Sequence, residues 1–284
     1  MGNYDLTVCY RIYPKVSKHP PIFYGDKLKL SEVCLSSFKD SLDGLKVKMI
    51  VLLDGCPDIY KRLFQKYFNN DDLIFYELNS IGNKETFKLQ MDLLMEQKYS
   101  DYVYFAEDDY YYLSSRKFRI LLDFFKSNND VDFLTPYYHL DYIWMQPHLT
   151  FKSIKREFEG YQFTTVATTT MTFLTRQDKL DITYKTFLSY SKGNDDASLW
   201  LSLTKHNTHN IFLLFKYFFS DKLWFKMYLK PWIYNKRQIF FGRTYKLWCP
   251  IDTFATHMDD KCLSPGIDWE NEFKLKIKNI DFIE

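Results

Sequence analysis

The stretch Tyr102-Val-Tyr-Phe-Ala-Glu107-Asp108-Asp109-Tyr110 is the most informative part of the sequence, because an apolar run ends there abruptly in three acids. Its first four residues, Tyr102–Phe105, are predicted to form a buried strand. Three adjacent carboxylates repel one another, so a fold that gathers them at a strand end normally supplies a cation. The stretch therefore predicts a divalent metal site at the carboxyl end of a strand, with a solvated acidic turn as the alternative.

Short apolar runs alternate with longer amphipathic segments on both sides of this stretch. This alternation is typical of strand–helix–strand units in a largely parallel sheet. The other strands are predicted at Leu6–Tyr10, Val47–Leu53, Leu73–Leu78 and Val131–Thr135, and the helices at Leu30–Phe38, Pro57–Phe68, Glu85–Lys98 and Ser115–Lys126. Beyond residue 150 we predict an extended segment at Phe163–Leu174 and helices near Arg176–Tyr190 and Ala197–Lys205. The predicted class is α/β, with an open, mostly parallel sheet that carries helices on both faces.

Polar residues come directly after the predicted strands, where open α/β sheets bind their ligands. Tyr10-Arg11 ends the first strand and Asp54-Gly55 follows the second. The carboxylate of Asp54 can accept a hydrogen bond from a nucleobase or a ribose. Alternatively, Asp54 starts the turn and caps the helix that opens at Pro57.

The composition is that of one folded domain spanning 1–284. Apolar residues make up 46% of the chain and charged residues 26%, which excludes a disordered or fibrous protein. No segment approaches the roughly 20 apolar residues of a transmembrane helix, and the first fifteen residues lack a secretory signal's apolar core. Five scattered cysteines without a Cys-x-x-Cys pair predict neither a disulfide framework nor a thiolate zinc site. We therefore expect a cytoplasmic protein that does not span a membrane.

The charge is segregated along the chain. Residues 205–248, the basic aromatic segment, contain nine Lys or Arg, one acid and fourteen aromatic residues, while the rest of the chain is net acidic. Such a segment can bind an anionic membrane surface or a lipid-linked phosphate, or it can consist of core aromatics surrounded by solvated lysines. Nucleic acid is disfavoured as a partner, because the acidic remainder would repel its phosphates.

Taken in order, these motifs resemble the GT-A-fold nucleotide-sugar glycosyltransferases, family-2-like members in particular. The resemblance rests on the strand-one polar pair, the Asp54-Gly55 turn, the acidic triplet and Asn194-Asp195-Asp196-Ala-Ser-Leu-Trp200, and it spans roughly residues 5 to 270. It implies a Rossmann-like GT-A fold with a nucleotide-sugar-binding half at 1–140. An acceptor-binding half with a helical, aromatic C-terminal elaboration is implied at 141–284.

In that family the acidic strand end is the DxD motif, which holds Mn²⁺ or Mg²⁺ against the donor diphosphate. Here Glu107-Asp108-Asp109 resembles it as a Glu-x-Asp variant. The resemblance implies that Asp109 is a direct metal ligand and that Glu107 approaches the ribose or the metal. His257, in Phe254-Ala-Thr-His257-Met, resembles the histidine that completes the metal shell in several GT-A enzymes.

The resemblance also implies a set of donor contacts around the nucleotide sugar. Asp54 matches the acid that contacts the base or ribose, and Lys84 is expected to face a phosphate. The implied donor-binding residues are Tyr10, Arg11, Asp54, Asn83, Lys84, Glu107 and Asp108.

The catalytic base of the family lies in an acid pair before a Leu-Trp helix, which resembles Asp195-Asp196 here. On that alignment Asp196 is the base and Asp195 precedes it. An inverting transfer needs a carboxylate that removes the acceptor hydroxyl proton on the face opposite the departing diphosphate. Either aspartate can instead be a helix N-cap.

The resulting hypothesis is a metal-dependent glycosyltransferase of polysaccharide biosynthesis. It would move a sugar from a nucleoside-diphosphate sugar to a glycan or lipid-linked acceptor, with peripheral contact to the inner membrane face through 205–248. The alternatives are a sugar nucleotidyltransferase, whose Gly-rich phosphate loop is absent from strand one, a metal-dependent nuclease, and a non-catalytic membrane-docking module on the same fold.

Overall fold

A computed structural model describes residues 3–16, 18–114 and 116–284. Strands and helices alternate through the first half of the chain, as the sequence predicts. The elements are Leu6–Ile12 (β1), Lys27–Leu42 (α1), Val47–Asp54 (β2), Asp58–Tyr67 (α2), Leu73–Leu78 (β3), Asn83–Glu96 (α3) and Tyr102–Glu107 (β4), with a single 3₁₀ turn at Asn70–Asp72. Helix α1 begins earlier than predicted because the side chain of Asp26 accepts the N–H of Lys29 and caps the helix there.

The second half has shorter strands and more helices. Its elements are Tyr110–Tyr112 (β5), Lys117–Ser127 (α4), Phe133–Leu134 (β6), Gln146–Leu149 (α5), Lys155–Phe158 (β7), Tyr161–Val166 (β8), Phe173–Arg176 (β9), Gln177–Phe187 (α6), Asp196–Thr204 (α7), Ile211–Ser220 (α8), Lys222–Tyr234 (α9), Lys236–Phe241 (α10), Leu247–Pro250 (β10), Ala255–His257 (β11) and Trp269–Lys278 (α11), with a 3₁₀ turn at Leu140–Ile143. The predicted start of α4, Ser115, lies outside the described residues.

Nine strands of the described chain form one sheet in the order β3-β2-β1-β4-β9-β6-β10-β8-β7. The four strands of the first half pair in parallel, and seven of the nine run in the same direction. The mostly parallel sheet is therefore confirmed. The fifth predicted strand is reduced to β6, which is separated from β4 by the antiparallel strand β9. Strands β5 and β11 form a separate antiparallel pair.

Helices cover both faces of the sheet, as predicted. Strands β1 and β2 are buried along their whole length, so alternate side chains enter two different cores. Tyr10 and Val51 pack with α1 and α2 on one face, whereas Cys9 and Leu52 pack with α3 and α6 on the other. The two cores hold the strand ends in fixed positions, and the site is built on those ends.

Helices α8, α9 and α10 form the predicted C-terminal elaboration. They pack through Tyr217 and Tyr228 against α7, while many of their other aromatic side chains lie at the surface. In the part of the chain that the structure describes, no helix has both the length and the apolar character needed to cross a bilayer.

Candidate active site

A cleft of about 490 Å³ lies beyond the carboxyl ends of β1, β2 and β4. Its lining comes from these strand ends, the first turns of α3 and α7, and the last residue of β11. The volume falls within the range of small-molecule sites, and its position is the one where open α/β sheets bind ligands. Most of the predicted site residues line this cleft, and Tyr10, Lys84 and Asp195 do not.

Asp109 and His257 meet at one corner of the cleft, which we call the acid corner. Strand β11 pairs with β5 so that His257 lies opposite Tyr110, and the N–H of Met258 donates to the carbonyl of Asp109 at 2.8 Å. This pairing places His257 Nε2 3.1 Å from Asp109 Oδ2. Burial opposes both charges, but the contact outweighs it: the pKa of His257 is raised to about 10, and the pKa of Asp109 lies well below its usual range.

Both carboxylate oxygens of Glu107 are already occupied by neighbours. Oε1 accepts from the guanidinium of Arg11 at 2.5 Å, and Oε2 accepts from the hydroxyl of Thr172 at 2.9 Å. Arg11 in turn donates to the backbone oxygen and the side-chain oxygen of Asn83, at 3.0 and 2.6 Å. Arg11 thus ties the end of β4 to the start of α3 across the cleft.

Asp108 is buried, and its carboxylate contacts one neighbour in the loop after β1 and one in α1. Its Oδ2 accepts from the backbone N–H of Tyr13 at 3.0 Å and lies 2.9 Å from the ammonium of Lys27. Burial raises the pKa of Asp108, and the nearby Lys27 works against that rise. Asp108 therefore anchors the loop after β1 to α1, a structural task that the sequence pattern did not reveal.

Asp54 holds the loop that leads into α3. Its two carboxylate oxygens accept from the backbone N–H groups of Ile81 and Gly82 at 2.7 and 2.9 Å. The alternative that Asp54 caps α2 is wrong, because the residue before that helix, Pro57, makes no side-chain capping bond. Gly55 is required beside it: its φ is +70°, and a Cβ there would lie 2.2 Å from the hydroxyl of Ser80.

Two residues expected at the donor are elsewhere. The ring of Tyr10 is fully buried in the core, because side chains alternate along β1 and Arg11 takes the cleft side. Lys84 is exposed and is absent from the cleft lining, since the first turn of α3 turns it outward. Lys18, which the sequence pattern gave no reason to select, lines the cleft instead.

The two aspartates at the start of α7 differ in their contacts. Asp195 is the N-cap: it accepts the N–H of Ser198 at 2.7 Å and pairs with Lys230 of α9 at 2.8 Å. Asp196 is the first residue of the helix and lines the cleft. Burial raises the pKa of Asp196, although the N–H of Ala197, which donates to it at 2.8 Å, works against the rise.

Two further side chains at the site have no motif that could have revealed them. Tyr190 lines the cleft and its hydroxyl accepts from the amide of Asn83 at 3.0 Å. The thiol of Cys262 lies beside His139 and His257, whose hydrogen bonds lower its pKa to about 7.

The acid corner suits a divalent cation. Asp109 and His257 offer one carboxylate oxygen and one imidazole nitrogen at a separation that two ligands of one ion can adopt. Glu107 offers less, because both of its oxygens already accept hydrogen bonds. Asp109 and His257 therefore fit as direct ligands, and Glu107 fits better as a residue that positions its neighbours.

Solved structures that are similar to this chain identify the class of its fold. No protein-family description matches the chain, and no curated protein matches its sequence. Among solved structures, galactosyltransferase LgtC in complex with donor and acceptor sugar analogues is similar, with 9% identity, coverage of 98% of this chain and 97% of LgtC, and a TM-score of 0.50. An active-site mutant of LgtC gives 10% identity with the same coverage and TM-score.

A partial likeness extends to S. aureus TarS in complex with UDP-GlcNAc, with 14% identity, coverage of 69% and 52%, and a TM-score of 0.44. The full-length likeness to LgtC and the mixed, mostly parallel sheet agree: the chain has the α/β fold of GT-A-type glycosyltransferases.

Proposed function

We propose that this protein is a metal-dependent glycosyltransferase that moves a sugar from a nucleoside-diphosphate sugar to a hydroxyl of an acceptor. The observation that carries the proposal is the meeting of Asp109, His257 and Asp196 in one cleft at the carboxyl edge of the sheet. The galactosyltransferase to which the fold is similar over nearly its whole length was solved with donor and acceptor sugar analogues. That likeness supports the same reaction class here.

The first turn of α3 is suited to a diphosphate. Gly82 precedes the helix with φ +88° and no side chain caps the helix, so the first N–H groups are available to a ligand. Gly82 and Asn83 line the cleft, and the positive end of the helix dipole favours an anion there. Asp54 fixes the approach to this turn through its two backbone contacts, and Arg11 fixes the turn itself through Asn83.

Asp109 and His257 would hold a divalent cation, Mn²⁺ or Mg²⁺. Such a cation supplies positive charge that stabilises a leaving diphosphate. To hold such a cation, His257 would have to give up the proton that it shares with Asp109. Glu107 and Arg11 keep the strand end and the α3 turn in register for that arrangement.

Asp196 is the proposed base. Its burial raises its pKa toward the range in which a carboxylate accepts a proton efficiently, and its place at the start of α7 fixes its direction. Asp195 and Lys230 hold that helix start in position. We propose that Asp196 removes the acceptor proton from the side opposite the departing diphosphate, so that the anomeric centre inverts.

The proposed acceptor is a glycan or a lipid-linked sugar, presented at an anionic membrane surface during polysaccharide synthesis. Support comes from helices α8–α10, where Phe212, Phe219 and Phe241 are 83, 83 and 86% exposed. Six Lys or Arg and one acid lie in residues 211–241, so the exposed face combines apolar rings with positive charge. The anionic cytoplasmic leaflet is the matching surface.

The finer assignment to a family-2-like glycosyltransferase also stays a proposal. It rests on the order of the sequence motifs, whereas the full-length likeness is to the galactosyltransferase LgtC. The donor-binding half at 1–140 and the acceptor-binding half at 141–284 are also proposed from the order of the sequence motifs. The cleft draws on both halves, since Asp54 and Asp196 line it together.

The test is a thermal-shift screen of the full chain against UDP-, GDP- and dTDP-sugars with Mn²⁺, followed by detection of the released nucleoside diphosphate. One donor class should raise the melting temperature only when the metal is present, because a ligand of the native state stabilises it. Release of pyrophosphate from a nucleoside triphosphate and sugar phosphate would instead identify a nucleotidyltransferase. Binding of no donor would leave the non-catalytic module.

A flotation assay tests the membrane contact. Vesicles containing phosphatidylserine should carry the protein upward at low salt, and neutral phosphatidylcholine vesicles should not, because screening weakens the attraction of lysines for lipid. Equal recovery with both lipids, or none with either, would contradict an anionic surface as the partner.

A further inference from the structure

Beside the acid corner lies a second group of metal-binding side chains, which we call the His257–Cys262 loop. It follows β11 and carries His257, Asp259 and Cys262, whose ligand atoms all lie within 4.8 Å of one another. All three residues are half-buried, so an ion in solution can reach them. The thiol also lies beside His139, which borders the loop from the other side.

Backbone hydrogen bonds fix this loop, and one of them, from the N–H of Lys261 to Asp259 Oδ1 at 3.2 Å, also orients a ligand carboxylate. The N–H of Asp259 donates to the carbonyl of His257 at 2.9 Å, and the N–H of Cys262 donates to the carbonyl of Asp259 at 2.8 Å. The hydroxyl of Tyr137 donates to the carbonyl of Cys262. The N–H of Ser264 donates to the hydroxyl of Thr256 at 2.9 Å and closes the loop. The ligands are therefore held close together before any ion arrives.

The three donor atoms of this loop include a sulfur, which the acid corner lacks. One imidazole nitrogen, one carboxylate oxygen and one sulfur form a borderline-soft set, which suits Zn²⁺ or Co²⁺ and disfavours Mn²⁺ and Mg²⁺. We propose that His257, Asp259 and Cys262 form a second metal site, selective for Zn²⁺-class ions, in which water fills the fourth position. Its sequence pattern, His-x-Asp-x-x-Cys, mixes ligand types and lacks the paired cysteines by which zinc sites are usually recognised.

The two metal sites share His257, and this has a consequence for both. A neutral imidazole has one nitrogen with a free lone pair, so His257 can serve one ion at a time. Zn²⁺ in the His257–Cys262 loop would therefore take His257 away from Asp109, and an ion at the acid corner would weaken the zinc site in return. The existence of the zinc site does not depend on the proposed function, whereas the competition rests on it.

The binding test is a titration of the full chain with Co²⁺, which makes a cysteine ligand visible as near-ultraviolet charge-transfer absorption. We expect this band in the wild-type protein, its loss in Cys262→Ser, and its removal by one equivalent of Zn²⁺. The matched control is Cys56→Ser, which alters another half-buried cysteine outside the loop and should keep the band. A band that persists in Cys262→Ser, or that never forms in the wild type, overturns the proposal.

A second measurement guards against a serine variant that fails to fold. Wild-type protein is treated with iodoacetamide, and alkylation of Cys262 and Cys56 is followed by mass spectrometry. Zn²⁺ should slow modification of Cys262 at least about tenfold and leave the rate at Cys56 unchanged, because a metal-bound thiolate is withdrawn from reaction. Equal rates with and without Zn²⁺ overturn the site.

The competition is measured with Mn²⁺, which binds a thiolate poorly, against the cobalt charge-transfer band. Saturating Mn²⁺ should raise the apparent Co²⁺ dissociation constant of the wild type at least about tenfold and that of Asp109→Ala, which lacks the acid-corner carboxylate, less than twofold. An unchanged constant in the wild type would overturn the sharing of His257. If the protein shows the cobalt band but transfers no sugar, the zinc site stands and the proposed function fails.

Discussion

The cleft and the basic aromatic segment are both rich in charged side chains. The two regions differ in whether those side chains have partners inside the protein. In the cleft Glu107, Asp108 and Asp109 each contact a cationic side chain, and Asp54 accepts two backbone N–H groups. On α8–α10, the side chains of Lys222 and Lys226 have no acidic partner among the described residues, and aromatic rings stand beside them in solvent.

This difference indicates what each region is built to meet. Buried charges with partners are costly to move, so the cleft is preorganised for a small polar ligand. Exposed rings and lysines without acidic partners are typical of a surface that meets an external partner, which is the basis of the membrane contact proposed above. Lys230 of the basic aromatic segment pairs with Asp195, the N-cap of the helix that carries Asp196, and so links the two regions.

The largest effect is expected from Asp109→Ala. Removing this carboxylate deletes a ligand of the proposed ion and leaves His257 without its partner, so Mn²⁺-dependent sugar transfer should fall by about 10³-fold or more. The measurement is release of nucleoside diphosphate at saturating Mn²⁺. Asp178→Ala, which removes an exposed carboxylate paired with Arg176, is the matched control and should keep full activity. Comparable rates in both variants would remove the metal assignment.

Next in size is Asp196→Asn, which keeps the shape of the side chain and removes its basicity. We expect turnover to fall by about 10² to 10³-fold, because general base catalysis is worth that much. Donor binding, measured by calorimetry, should stay within about twofold, since the donor contacts are proposed at the α3 side of the cleft. A parallel loss of donor affinity would mean that Asp196 binds the donor instead of acting as a base.

The pH dependence of turnover tests the same residue without mutation. Burial raises the pKa of Asp196, and the base acts only when ionised, so kcat should fall about tenfold per pH unit below that pKa. Because the pKa of Asp196 is raised, this acid limb should lie at higher pH than it would for an ordinary aspartate, whose pKa is about 3.9. The limb should be absent from the residual activity of Asp196→Asn. An acid limb at the ordinary position would contradict the buried base.

The sequence was sufficient to predict the first half of the fold and the position of the cleft at the carboxyl ends of its strands. Mostly apolar strands such as Val47–Leu53, which is followed directly by Asp54, show where the strand ends lie. The insertion of β9 between β4 and β6 could not be predicted, because β9 and β6 are short and pairing order depends on contacts distant in sequence. The contact between Asp109 and His257 depends on the β5–β11 pair, which no local pattern encodes.

A smaller effect is expected from Arg11→Lys. Lysine keeps the charge but loses the planar fork that reaches Asn83 and Glu107 together. We expect about tenfold weaker donor binding and a loss of about 1–3 kcal/mol in the free energy of unfolding. Arg176→Lys, in an exposed pair with Asp178, is the control and should cost less than about 1 kcal/mol. Unchanged donor affinity in Arg11→Lys would show that the α3 turn does not need this link.

The smallest effect on the chemistry itself should come from the triple substitution Phe212→Ser, Phe219→Ser and Phe241→Ser. These rings lie in solvent, so their loss should leave the fold and the turnover of a soluble acceptor within about twofold. Recovery with phosphatidylserine vesicles should fall at least about tenfold, because apolar area supplies much of interfacial binding. Turnover of a lipid-linked acceptor in those vesicles should fall with it. If the triple variant instead slows the soluble reaction as much as the lipid-linked one, the rings act on the cleft through α7, and the separation of the two regions is wrong.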